Sequence, residues 1–159
     1  MLRANSRSVE VRRAARSGTT LSLVLLDIDD FTVVNDTYGH LQGDLVLRAV
    51  GRLLRERATS TDLPARYGGE EFAVLLPDTG LAGAIDLAET LRLAIAACEI
   101  SADDNEAVRL TASIGVASLP DCGSGREQLL EAADRALYQA KRAGRNGVLA
   151  APFAMRQSA

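Results

Sequence analysis

Residues 66–72 read Arg-Tyr-Gly-Gly-Glu-Glu-Phe and run directly into the apolar stretch Ala73, Val74, Leu75, Leu76. Packing alone does not call for two glycines ahead of two carboxylates at the mouth of a strand. Gly68 and Gly69 permit a tight turn and a close ligand approach, because no Cβ stands in the way. Glu70 and Glu71 offer the oxygen ligands that hard divalent cations take. A second acidic cluster, Asp27-Ile28-Asp29-Asp30-Phe31, ends the apolar run from Leu23 to Leu26. Asp27 and Asp29 stand two apart, so on a strand they start out on the same side. Either one binds metal while the other caps the following helix, or both only turn the chain; spacing does not choose. Asn35, His40 and Asp44 follow. Aspartate accepts from ring and amino N–H groups and asparagine both donates and accepts, which suits a purine edge. His40, the single histidine, also fits a packing or capping role. Lys141 and Arg145 stand i, i+4 on an expected last helix and so share a face. There they would clamp phosphate oxygens, or simply offset the helix macrodipole. Together these groups form an inventory for metal-dependent phosphoryl or nucleotidyl transfer.

These residues must be placed by a small set of elements. Residues 6–16 read as a short helix ending before Ser17-Gly18. Residues 21–28 are mostly Leu, Val and Ile, the pattern of a strand buried on both faces. From Gly43 to about Arg57, Val46, Ala49, Val50, Leu53 and Leu54 recur at helical spacing. Residues 62–76 read as a β-hairpin with the two glycines at its tip. Pro64 puts its first arm at a sheet edge or strand start, and Pro77 ends the second. A helix is expected over about 81–98, with Leu81, Ala84, Ile85, Ala88, Leu91 and Ile95 on one face. A strand is expected over 110–119, with Ile114 and Val116 on one side. Ser124-Gly125-Arg126-Glu127 reads as a capping box opening a helix to about Arg142, with Gly144 as terminator and Val148-Leu149 as a last short strand. The resulting order predicts an α+β, ferredoxin-like βαββαβ sheet with flanking helices.

At 159 residues the chain is long enough for one domain with a real core. Its apolar fraction of 47% and charged fraction of 25% are those of a globular protein. A formal charge of −3 argues against a general nucleic-acid binder. Arg3, Arg7, Arg12, Arg13 and Arg16 crowd the start, which reads as a solvated helix face. The two cysteines, Cys98 and Cys122, have no metal spacing and fit a reducing cytosol. No apolar run approaches the roughly 20 residues of a membrane span, and no signal peptide is apparent. A cytoplasmic location follows as the expectation, either alone or as the cytosolic part of a larger protein.

Read as a whole, Asp27–Asp44 (DIDDFTVVNDTYGHLQGD) closely resembles the first motif of the GGDEF family, the diguanylate cyclases. Arg66–Phe72 resembles the name motif in its Gly-Gly-Glu-Glu-Phe form, and Ala133–Asn146 (ADRALYQAKRAGRN) matches the C-terminal helix pattern. The resemblance runs from about residue 17 to 150. It implies a bacterial enzyme condensing two GTP into cyclic di-GMP and two pyrophosphates, on a palm-type sheet related to adenylyl cyclases. Carried onto this chain, Asp27, the Ile28 carbonyl and Glu70 would hold two Mg²⁺ ions, with Mn²⁺ as a substitute and Glu71 nearby. Glu70 would also be the base for the attacking 3′-hydroxyl. Asn35 and Asp44 would read guanine beside His40, with Phe31 and Thr32 at the substrate. Gly68 and Gly69 would admit the phosphates, and Lys141 and Arg145 would clamp them. The product needs two GTP facing each other, so a homodimer is implied. A sensor or receiver domain outside this chain is implied as well, and no nucleic-acid or membrane contact. The expected partition is a helical lead-in over 1–18, a catalytic domain over 19–151 and a tail over 152–159.

Three departures from the family pattern stand out. Thr32 occupies the place of a lysine thought to stabilise the transition state. Thr59 replaces the arginine of an inhibitory product site, although its aspartate is kept as Asp62, so product inhibition through it should be weak or absent. The Asp-x-Leu-Thr opening is missing or degraded in residues 1–16, as in a truncated piece or a divergent stand-alone protein. The alternative to an active cyclase is therefore a GTP-binding module of the same fold acting as sensor or interaction domain. An unrelated metal-dependent nucleotidyl transferase is disfavoured by the motif order.

Overall fold

The structure, a computed structural model, describes residues 12–14, 16–102 and 106–154. Of the expected helix over 6–16, residues 12–14 and 16 are helical and the rest lies outside the described residues. The strands are β1 (Leu21–Ile28), β2 (Leu63–Arg66), β3 (Glu71–Pro77), β4 (Ile100–Ser101), β5 (Ala107–Val108), β6 (Ala112–Leu119) and β7 (Val148–Ala150). The helices are α1 (Phe31–Tyr38), α2 (His40–Arg57), α3 (Leu81–Ala97) and α4 (Arg126–Arg142).

Five strands form one sheet in the order β2-β3-β1-β6-β7. The first four, read from β6 back, have the ferredoxin-like order, with β1 central and antiparallel to both neighbours. β7 adds in parallel to β6 after the α4 crossover, as a parallel pair requires. β2 lies on an edge, where Pro64 is tolerated because no strand waits for its missing N–H. Every residue of β1 is buried, as its unalternating Leu/Val/Ile composition requires of a central strand covered on both faces.

Two apolar layers result. Val24, Leu26, Ile28, Phe72, Val74, Leu76, Ile114 and Val116 face α1, α2 and α3. Leu21, Leu23, Leu25, Ala73, Leu75, Ala117 and Leu119 face α4. In the second layer α4 comes close to β6 at Gly115: a Cβ there would collide with the Ala133 carbonyl oxygen and the Leu137 nitrogen. Glycine thus lets α4 lie directly on β6.

Several local expectations are corrected. An additional helix, α1, occupies residues read as motif only; Phe31 and Val34 are its buried side. Gly39, with φ 88 and ψ 163, separates it from α2, which begins at His40 rather than Gly43. The strand expected from 110 begins at Ala112, and β4–β5 form an unforeseen two-stranded ribbon. The capping box does not form. The α4 N-cap is Gly125 with no side-chain cap, and Gln128 rather than Glu127 reaches back, accepting from the Ser124 N–H at 2.7 Å. The helix starts one residue later than the motif requires, which moves Glu127 out of range. Among the described residues no helix is long and apolar enough to cross a membrane.

Candidate active site

The register of the sheet builds the site. Asp27, the penultimate residue of β1, lies opposite Glu71 on one side and Ser113 on the other. Opposed residues of antiparallel strands point to the same face, and by parity with Leu21, Leu23 and Leu25 that face is the one under α4. From Gly115 to Ser113 is two strand residues, about 6.6 Å. From Leu137 to Lys141 is four helix residues, about 6 Å. The close α4–β6 contact at Gly115 therefore carries Lys141 over Asp27, where its Nζ lies 2.9 Å from Asp27 Oδ2. Lys141 is the only lysine of the chain.

The hairpin closes the other side. The Tyr67 and Gly68 N–H groups donate to the Glu71 carbonyl at 2.8 and 3.1 Å, and the Ile28 N–H donates to the Glu70 carbonyl at 3.2 Å. Arg66 Nη2 donates to the Gly69 carbonyl at 2.6 Å. These bonds pin Glu70 beside the end of β1. Neither Gly68 nor Gly69 has positive φ. A Cβ on Gly69 would meet nothing within 4 Å, and one on Gly68 only the Glu71 side chain. The backbone φ of the turn does not demand either glycine.

Asp27 is 4% exposed, and its Oδ1 has no hydrogen-bond partner. A buried carboxylate oxygen left without a donor is costly, so this atom calls for a cation. Glu70 and Glu71 support the same need. Burial, then the charge of Asp27, push both carboxyls above their ordinary 4.5, while Lys141 pulls them back. Among the described residues no group of three or more His, Cys, Asp and Glu side chains is arranged to hold a metal. A set of two carboxylates and the Ile28 carbonyl needs only two such side chains, and its all-oxygen character suits Mg²⁺ or Mn²⁺.

Asp29 is buried too, yet it caps nothing; helix α1 has Asp30 at its N-cap, with no side-chain cap bond. Its carboxylate is filled by donors from Thr111 Oγ1 and Ser113 Oγ, each at 2.7 Å, and from the Asn146 N–H at 3.0 Å. The two aspartates thus differ: Asp27 has an oxygen to spare and Asp29 has none.

Asn35 is half-buried on α1 and lies against Gly43 of α2, where any Cβ would strike its Oδ1. Asp44 is exposed on the next turn of α2, and His40 is exposed at its start. Phe31 packs into the main core below Gly43, and Thr32 is exposed on the first turn of α1. Arg145 does not lie on α4, which ends at Arg142. The Gly144 N–H returns to the Lys141 carbonyl at 3.4 Å and that of Arg145 to the Ala140 carbonyl at 3.2 Å, a Schellman stop with Gly144 at φ 117. This turn brings Arg145 Nε to 3.6 Å from Asp30 Oδ1. Asp62 is occupied in its own turn, accepting from the Thr59 N–H at 2.8 Å. Sequence reasoning missed the Asp29 network and the Asp30–Arg145 pair. Both join residues more than 80 positions apart, and no periodicity signals them.

Known proteins carry the same pattern. Residues 4–147 match the model of the diguanylate cyclase GGDEF domain. The chain is 44% identical over 140 residues to the response regulator PleD of Caulobacter vibrioides, a match covering 87% of this chain and 31% of PleD. The chain thus spans less than a third of that relative's length. Among solved structures, the active GGEEF domain of a diguanylate cyclase from Vibrio cholerae superposes with a TM-score of 0.86 at 32% identity, covering 94% of each chain. The GGDEF domain of DgcB from Caulobacter crescentus in complex with c-di-GMP gives 0.86 at 36%, covering 92% of this chain and 86% of that one. With sheet order, motif positions and sequence in agreement, the chain belongs to the GGDEF domain family of diguanylate cyclases.

Proposed function

We propose that the chain, with residues 19–151 as its catalytic domain, condenses two GTP into cyclic di-GMP and two pyrophosphates. Each 3′-hydroxyl attacks the α-phosphorus of the other nucleotide. A new O–P bond forms, the α–β bridging bond breaks, and pyrophosphate carries off the electron pair. The observation that carries this reading is the buried, partnerless Oδ1 of Asp27 beside Glu70 and Lys141.

Asp27, the Ile28 carbonyl and Glu70 are the residues to hold divalent cations, with Glu71 behind them. Mg²⁺ held there would supply charge neutralisation at the triphosphate and a more acidic 3′-hydroxyl. Glu70 takes the proton of that hydroxyl. Lys141, now paired with Asp27, would clamp the triphosphate, and Arg145 would join it from the turn beyond α4. Asn35 and Asp44, with His40 beside them, hold the guanine edge and reject adenine. Gly68 and Gly69 leave the hairpin backbone bare toward the phosphates.

One chain holds one such half-site, so in-line attack requires two copies face to face. Thr32 favours a second reading, a domain that binds GTP but turns it over poorly, because no ammonium extends from the first turn of α1. Incubation at high protein concentration with GTP and Mg²⁺, followed by chromatography, separates the two. Cyclic di-GMP from the native chain, none from Glu70→Gln and none from ATP is the expected outcome. GTP binding without product supports the second reading.

A further inference from the structure

We propose that Asp29 is a positioning residue that sets the reach of Arg145 by locking the backbone turn carrying it; the inference rests on the reading of Arg145 as a phosphate clamp. Asp29 is 6% exposed, and both its oxygens are engaged. Two of its three donors, Thr111 and Ser113, tie it to the start of β6. The third is the backbone N–H of Asn146, 117 positions away, next to Arg145.

Arg145 has φ 62, a left-handed value that most side-chain-bearing residues avoid, and Asn146, a residue type that visits this region more readily, has φ 42. Such a conformation persists only where its surroundings over-determine it, and here three restraints converge. The Arg145 N–H is held by the Ala140 carbonyl at the end of α4. The Asn146 N–H is held by Asp29. The Asn146 side-chain Oδ1 accepts from Arg92 Nη1 at 3.0 Å, and Arg92 is itself steadied by Glu89 at 2.9 Å.

The Arg145 side chain is held far less. Among the described residues its ion pair is with Asp30 at 3.6 Å, between side chains 53% and 64% exposed, the kind that contributes little. A fixed backbone and a loosely held guanidinium are what a clamp needs: the start point is set, and the ligand takes the end. Arg92 touches neither the proposed metal ligands nor Lys141 among the contacts described, whereas Asp29 follows Ile28 in the chain, so Arg92 and the Lys141 cycle separate an effect through the turn from one through the end of β1.

The test is a set of double-mutant cycles on affinity for a GTP analogue with a methylene α,β bridge, in Mg²⁺. Arg145→Ala and Asp29→Ala should each weaken binding by about tenfold, with the double variant no weaker than the worse single one. Asp29→Ala combined with Lys141→Ala should instead multiply the two losses, because Lys141 projects from α4 and not from the turn. Asp29→Asn keeps an acceptor oxygen for the Asn146 N–H and should restore affinity to within about twofold. Should Asp29→Ala fail to fold, Arg92→Met tests the same turn: about a two- to threefold loss in the native background and none in Arg145→Ala. Losses that persist in the Arg145→Ala background, or that couple equally to Lys141, would overturn the proposal. An Arg145→Ala chain that binds like the native one removes the clamp reading itself, and the proposal with it.

Discussion

Thr32 stands where the family pattern has a lysine. It is exposed on the first turn of α1, where a longer side chain meets no packing constraint. Thr32→Lys should therefore leave the melting temperature nearly unchanged and raise kcat by about 10² if the missing ammonium stabilises transition-state charge; steady-state product formation measures it, and an unchanged kcat would show that the chain compensates elsewhere. Glu70 and Glu71 make a second prediction. Their carboxyls are raised above 4.5 in the fold, so in metal-free solution the folded chain holds protons there that the unfolded chain has lost. Their contribution to stability is complete below about pH 4.5 and is lost as pH rises through the raised values. Urea unfolding in EDTA should show Glu70→Gln gaining on the native chain as pH rises across that window, and Mg²⁺ should shrink the gap. At this scale the sequence already pointed to Asp27, Glu70, Glu71, Asn35, Asp44 and Lys141, because carboxylate and glycine clusters have few packing uses. It could not separate Asp27 from Asp29. The difference lies in which oxygens Thr111, Ser113 and Asn146 fill, and those partners are brought up by the fold.

Among the elements, the α4–β6 contact decides the geometry of the site. Gly115→Ala would place a methyl against the backbone of Ala133 and Leu137, and backbone does not move aside as a side chain does. The expected cost is about 3 kcal/mol, read by urea denaturation. The surviving folded fraction should show a larger loss of kcat than of GTP affinity, since the shift moves Lys141 off the line of Asp27. The strands and long helices were legible because they carry their own periodicity: unbroken apolar β1, the i, i+3, i+4 face of α3, Pro64 at an edge. Three features were not. Helix α1 is eight residues with only Phe31 and Val34 buried, too short a pattern to stand out. The cap of α4 moved by one residue, because Gly125 rather than Ser124 takes the N-cap. Arg145 looked like the next turn of α4, but Gly144 ended the helix first.

For the molecule as a whole, the sheet order was legible from the strand and helix sequence, since few topologies satisfy a hairpin between two crossovers. The proposed half-site in each copy predicts that the rate per unit protein rises with concentration; a dilution series at saturating GTP should give a quadratic dependence of total rate at the dilute end. A linear dependence throughout would mean that the copies are already paired or that one suffices. The sheet's edges bear on how copies meet. On one side stands β2, four residues long and interrupted by Pro64; on the other stands β7, three residues long. An incoming strand finds few ladder positions on either, and a proline offers no donor. Growth of the sheet from copy to copy is thereby closed off. Under the proposed function, copies would then meet through faces other than the sheet edges, and a nucleotide held between two half-sites would itself be part of the joint.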